Sequence, residues 1–208
     1  MTATLFSFLF AITILTLTPG FDTALVLRTA LAQGWQRAWV TASGVTLGCL
    51  LWGIAVGFGL GALLMASELA YNLLKWTGAG WLFYQGIRLL LNPRQQPVAT
   101  EDEVPVRPQG YPACFLRGLT GNLLNPKVGV FYVTFLPQFI PAGASVALWC
   151  SLMALAHMVL GLVWNAVLIA GSRYFSHHLR KPPVLKMMDR LTGCVFIGFA
   201  AKLALSRR

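Results

Sequence analysis

Thr18-Pro19-Gly20-Phe21-Asp22 interrupts an apolar run, 5–27, that is otherwise almost entirely Leu, Ile, Phe, Ala, Val and Thr. Proline removes a backbone donor and its ring clashes with the preceding turn, so a helix breaks there. An aspartate near the centre of a bilayer costs roughly 2.5 to 3.5 kcal/mol on insertion scales, and residues that costly usually serve a site. Thr18 is a good N-cap and Pro19 suits the first helical position. The stretch therefore predicts a half-helix that starts here, with the positive end of its amide dipole inside the membrane.

Working outward, the 208 residues are 57% hydrophobic and 11% charged, against about 25% charged in average soluble domains. That is the composition of an all-α, polytopic membrane protein. The formal charge of +10 does not point to nucleic acid, because Lys and Arg cluster in the gaps between apolar runs with no aromatic-interleaved basic surface. Cys49, Cys114, Cys150 and Cys194 stand singly, without a CxxC pair or a histidine at ligand spacing, so they read as buried structural thiols, and no metal or cofactor is expected. No Lys or Arg precedes the first apolar run and no small-residue cleavage site follows it, which favours a retained first span over a signal peptide.

Six stretches are long enough to cross a core of roughly 30 Å as helices of about 20 residues. They lie near 4–28, 39–65, 70–91, 113–137, 145–171 and 185–205. The gaps after spans one, three and five hold 11 Lys and Arg, while Lys75, Lys202, Arg207 and Arg208 make 4 on the other side. The positive-inside rule then puts both termini outside, although a five-span alternative would leave the basic tail inside. Span two carries Gly44, Gly48, Gly53, Gly57 and Gly61, a small-residue pattern that lets helix backbones approach closely. Trp76, Trp81 and Tyr84 in span three read as interface anchors.

From Asn92 to Pro112 the composition shifts to Pro, Gln, Glu and Arg, with five prolines and the acidic Glu101-Asp102-Glu103 patch. The expected organisation is a first three-helix repeat over 1–91, a solvated cytoplasmic linker over 92–112 and a second three-helix repeat over 113–208. The second half opens with Gly121-Asn122-Leu123-Leu124-Asn125-Pro126-Lys127 inside span four. Asn125 can cap and Pro126 can begin a half-helix, matching Thr18 and Pro19. Three spans per half is an odd number, so spans one and four cross in opposite directions. Broken helices at corresponding places in inverted repeats are the best sequence pointer to a transporter's central site.

Such a site suits an amino acid. Half-helix N-termini attract a carboxylate, and Asp22 suits an ammonium or a proton. Competition of the two for one carboxylate would couple substrate movement to proton movement. Lys127 reinforces the carboxylate end, snorkels, or pairs with Asp22 as a gate. On span five, His157 and Asn165 are eight apart and share a face, where interhelical hydrogen bonding competes with substrate contact. An enzyme would need a nucleophile and base or a metal cluster, and the chain has no HExxH, no GxSxG and no cysteine pair.

The TPGFD run, VLRTALAQGWQRA, the LKWTGAGWLFYQGIRLL of span three and the GLTGNLLNPKVGVFYVTFLPQF of span four together resemble the LysE/RhtB family of amino-acid exporters. The likeness covers nearly the whole chain. It departs at Phe21, where a second proline is usual, and at Trp52, where a smaller or polar residue is common. The resemblance implies a secondary carrier in the bacterial cytoplasmic (inner) membrane that exports threonine, homoserine, homoserine lactone or a basic amino acid. Joined to the residue chemistry, it gives proton antiport with Thr18, Pro19, Gly20, Asp22, Asn122, Asn125, Pro126 and Lys127 at the substrate and Asp22 carrying the proton. The partners are then the amino acid, protons and the lipid bilayer, with homo-oligomerisation left open. A small-molecule channel and a structural membrane protein are the competing classes.

Overall fold

The computed structural model describes residues 2–66, 68–93, 109–141, 143–179 and 181–205. These form α1 (Thr2–Leu17), α2 (Phe21–Gln33), α3 (Trp35–Ala66), α4 (Glu68–Leu91), α5 (Tyr111–Leu123) and α6 (Pro126–Val130). A π-helical turn, Phe131–Phe135, and a 3₁₀ turn, Leu136–Phe139, continue α6, followed by α7 (Val146–Ala170), α8 (Ser172–Leu179) and α9 (Pro182–Leu205). No strand occurs among the described residues. The Glu101-Asp102-Glu103 patch and the tail over 206–208 lie outside them.

Local chemistry sets the ends of these helices. Gly34 takes φ 90° between α2 and α3, a conformation that residues with a Cβ rarely adopt. Ser145 caps α7 by accepting from the Leu148 amide at 3.4 Å. The first break is placed differently from the sequence expectation. Thr18 is not an N-cap: its N–H still bonds the Ile14 carbonyl at 3.0 Å and its hydroxyl donates to the same oxygen at 2.6 Å, so it closes α1. Gly20 takes the cap position of α2 without a side-chain bond, and α1 and α2 meet at 50°.

Glycine governs the packing. A Cβ on Gly44 would fall on the Phe115 carbonyl of α5, and one on Gly118 of α5 would fall on the Thr41 carbonyl of α3. Further along α3, Gly53 meets Ala154 and Gly57 meets Cys150 and Ala147 of α7. The small-residue stripe thus serves two neighbours in turn. A separate contact joins α4 and α9 through Gly86 and Gly193, each against the other's carbonyl oxygen at 2.8 to 2.9 Å from an added Cβ. Between these groups lies a core of Phe8, Ile12, Phe131, Tyr132, Phe135, Phe139 and Met153. Phe8 and Phe139 meet edge to face with centroids 5.4 Å apart.

Among the described residues two helical segments, Trp35–Gly59 and Val146–Ala170, are long and apolar enough to cross a membrane, and α1 with α2 forms a third as a bent pair. The α7 segment is only 22% buried, and Phe6, Phe10, Phe58, Leu152 and Val163 face outward. So much exposed apolar side chain requires lipid around it, and the protein is a membrane protein. The other expected spans are helical but less apolar or shorter. Both α4 and α9 have 24 residues but carry Lys75 and Arg88, and Lys186, Asp189 and Arg190. The 113–137 stretch is divided at Leu124 and Asn125. Cys49, Cys114 and Cys150 are buried free thiols as expected, whereas Cys194 is exposed.

Because the α3/α5 crossing has no space for a side chain, Gly118→Leu is expected to lower stability by at least about 1–3 kcal/mol, the usual cost of overpacking. Thermal unfolding in detergent checks this, with Gly59→Ala as the control at a position that has open space around it. A Gly118→Leu melting temperature equal to that of the parent would contradict the packing.

Candidate functional site at the two helix breaks

The first break exposes backbone carbonyls that the second half of the chain answers. In an uninterrupted helix the Leu15 carbonyl would accept from the N–H of residue 19, which is proline and has none. Lys127 supplies the missing donor: its Nζ lies 3.0 Å from Leu15 O and 3.0 Å from Thr18 O. A cation at a helix C-terminus also opposes the negative end of the dipole. Beside the roles weighed for Lys127 at a carboxylate, at the membrane surface or against Asp22, the structure adds one at the end of α1, where its ammonium bonds two carbonyls.

The second break forms as its sequence indicates. Asn125 Oδ1 accepts from the Lys127 amide at 3.1 Å, and Pro126 opens α6. Asn122, fully buried near the end of α5, donates through Nδ2 to Asp22 Oδ2 at 2.8 Å and lies 3.4 Å from Cys49 Sγ. Asp22 stands in the first turn of α2, where a negative charge is favoured by the helix dipole. Its Oδ1 is buried without a hydrogen bond, as is Asn122 Oδ1. Asn125 and the Lys127 charge also act on the Asp22 carboxyl. Phe21, in place of a second proline, lays its ring against Gly121, where an added Cβ would approach it to 2.8 Å. Trp52 fills the space beside Gly129 in the same way.

Two cavities adjoin the breaks. A small one of ≈ 70 Å³ is lined by Asp22, Cys49, Thr46, His157 and Asn165, among others. A larger one of ≈ 430 Å³ lies toward α4 and α9. Thr18, Gly20, Asn125 and Lys127 line both. Pro19 lines the larger alone and Asp22 the smaller alone, so the expected site residues gather at one junction but divide between two spaces.

His157 is held at both ring nitrogens, by Thr16 Oγ1 at 3.1 Å and Tyr132 OH at 2.9 Å, which is the interhelical hydrogen bonding weighed for it. Tyr132 lies in the π-helical turn, a deviation frequent at functional sites. Trp81, expected as an interface anchor, is half-buried, stacks on Tyr84 and lines the larger cavity. Sequence reasoning passed over Asp189 and Thr192. Asp189 is fully buried on α9, and Thr192 shares a 2.7 Å hydrogen bond with Thr18. The signal was present, since Asp189 is an acid inside the last apolar run, but its neighbours Lys186 and Arg190 gave the stretch the look of a charged gap.

Comparison with known proteins adds the family. The model of the LysE type translocator family matches residues 13–207, which include both breaks. The chain is 27% identical over 195 residues to an uncharacterized membrane protein, YrhP, of Bacillus subtilis, covering 90% of this chain and 92% of that one. It is 30% identical over 192 residues to a leucine efflux protein of Klebsiella pneumoniae and 29% identical to one of Salmonella typhimurium, in each case over 90% of this chain and 88% of the relative. No solved structure matches. On a match that spans almost its entire length, this chain belongs to the LysE type translocator family.

Proposed function

We propose that the protein is a secondary-active exporter that moves a neutral amino acid out of the cell across the bacterial cytoplasmic membrane in exchange for protons. The observation that carries the reading is the junction itself. Two proline breaks from distant parts of the chain meet there, and Asp22, Asn122 and Lys127 bond across them. Paired discontinuous helices at a repeat interface are how many secondary transporters build their sites. The named relatives that efflux leucine support an amino acid as cargo. Among the substrates that the family resemblance implies, neutral amino acids fit better than basic ones, because a second positive charge would meet Lys127. The fold that goes with this reading is six spans in two inverted three-helix repeats, 1–91 and 113–208, joined by a cytoplasmic linker.

Asp22 is the proton carrier in this reading. Its Oδ1 is buried without a hydrogen bond, and binding and release of a proton there exchanges a buried charge for a neutral group. One elementary charge moving through 100 mV is worth about 2.3 kcal/mol, enough for roughly a fifty-fold gradient. Thr18, Pro19, Gly20, Asn122, Asn125, Pro126 and Lys127 hold the breaks open around it and shape the substrate's path.

Two outcomes follow. Reporter fusions after residue 100 and after Arg208 are expected to give cytoplasmic and external signals, respectively; a cytoplasmic signal from both would replace six spans with an odd number. In proteoliposomes, Asp22→Asn is expected to abolish substrate-induced proton movement and reduce gradient-driven leucine efflux at least ten-fold while the protein still inserts. Parental proton flux in that variant would make Asp22 a packing acid.

A further inference from the structure

The two cavities differ in what they can hold. At about 30 Å³ of liquid volume per water, the ≈ 70 Å³ beside Asp22 suits a few waters. The ≈ 430 Å³ cavity lies within the roughly 300–1,000 Å³ of small-molecule sites. Asp22 does not line the larger space, which has a different acid. Asp189 enters it from α9 at 0% exposure, and Arg88 enters it from the last turn of α4. Opposite charges therefore reach one cavity from two helices. The remaining wall is largely apolar, with Trp81, Leu89, Phe131 and Phe196.

We propose that Asp189 and Arg88 form the substrate site of this exporter, taking respectively the α-ammonium and the α-carboxylate of a zwitterionic amino acid whose apolar side chain rests on Trp81, Phe131 and Phe196. The inference rests on the export reading and deepens it, because it moves the ammonium away from Asp22 and leaves that residue to the proton. A guanidinium reads a carboxylate through paired donors, and a buried carboxylate is a strong acceptor for an ammonium. A basic side chain would meet Arg88 and Lys127 with the cavity's acid already engaged, so lysine and arginine are disfavoured.

The placement also links the two sites. Thr192, one turn along α9 from Asp189, hydrogen-bonds Thr18 at the end of α1. Thr18, Gly20, Asn125 and Lys127 form a wall common to both cavities. Substrate at Asp189 and a proton at Asp22 therefore act on the same broken segment from opposite sides, and coupling does not require them to compete for one carboxylate. Arg88 and Asn92 lie at the end of α4 that the charge distribution assigns to the cytoplasm, the side on which an exporter loads.

The test is counterflow of labelled leucine in proteoliposomes without a pH gradient, with isoamylamine and 4-methylpentanoate as competitors that lack the carboxylate and the ammonium. In the parent, both are expected to compete weakly. Asp189→Asn and Arg88→Gln are each expected to raise the KM for leucine about ten-fold or more at near-parental maximal rate, the usual scale for one charged hydrogen bond. Arg88→Gln alone should make isoamylamine as good a competitor as leucine, and Asp189→Asn alone should do so for 4-methylpentanoate. A general packing defect would not sort the two analogues in this way. If Asp189→Asn fails to insert, Arg88→Gln decides, since Arg88 is exposed. Parental KM values, or equal effects on both analogues, overturn the assignment. A parent that moves none of leucine, threonine and lysine instead overturns the export reading, and this is seen before any variant is compared.

Discussion

The contact on which the arrangement depends is Lys127 Nζ against the carbonyls of Leu15 and Thr18. Leaving a freed carbonyl unpaired at membrane depth costs on the order of 1–3 kcal/mol. Pro19 creates that need within α1, and a residue more than a hundred positions later meets it. A charged donor makes a stronger bond than a neutral one. The same lysine therefore makes the break tolerable and ties the first half of the chain to the second.

Close backbone approach is the second requirement. Asn122, which donates to Asp22 of α2, stands near the end of α5 where α5 lies directly against α3, and Gly44, Gly48 and Gly118 remove the side chains that would hold α3 and α5 apart. At Gly48 the space a methyl group would occupy is taken by the Asn122 side chain itself, 2.5 Å from an added Cβ. Small residues in α3 thus position a polar group as well as packing helices. Phe21 and Trp52, the two departures from the usual family pattern, each fill space over a glycine, Gly121 and Gly129, that their bulk requires.

Much of this was legible in the sequence because the cues were local. Pro126 after Asn125 specifies a cap and a helix start within three residues, and the structure has both. Thr18 was misread because the same rule ignores what precedes it: its N–H was already committed to Ile14, so the helix ended where it was expected to begin. The role of Lys127 was not readable, since its partners are carbonyls freed at positions 15 and 18. Asp189 was missed for the opposite reason. Nearby Lys186 and Arg190 suggested solvent, whereas helix packing turns the acid inward to complete burial.

The claim that Lys127 answers the break at Pro19 is tested most directly by a double-mutant cycle. Pro19→Ala gives residue 19 an N–H that can reach the Leu15 carbonyl, while Lys127→Met removes the present donor. Unfolding free energies in detergent for the parent, both single variants and the double variant would give the coupling. The account predicts that the double variant is more stable than the sum of the single effects by about 1 kcal/mol or more, the scale of one recovered hydrogen bond. Additive effects would contradict it, because Lys127 and the proline break would then be independent features of the fold.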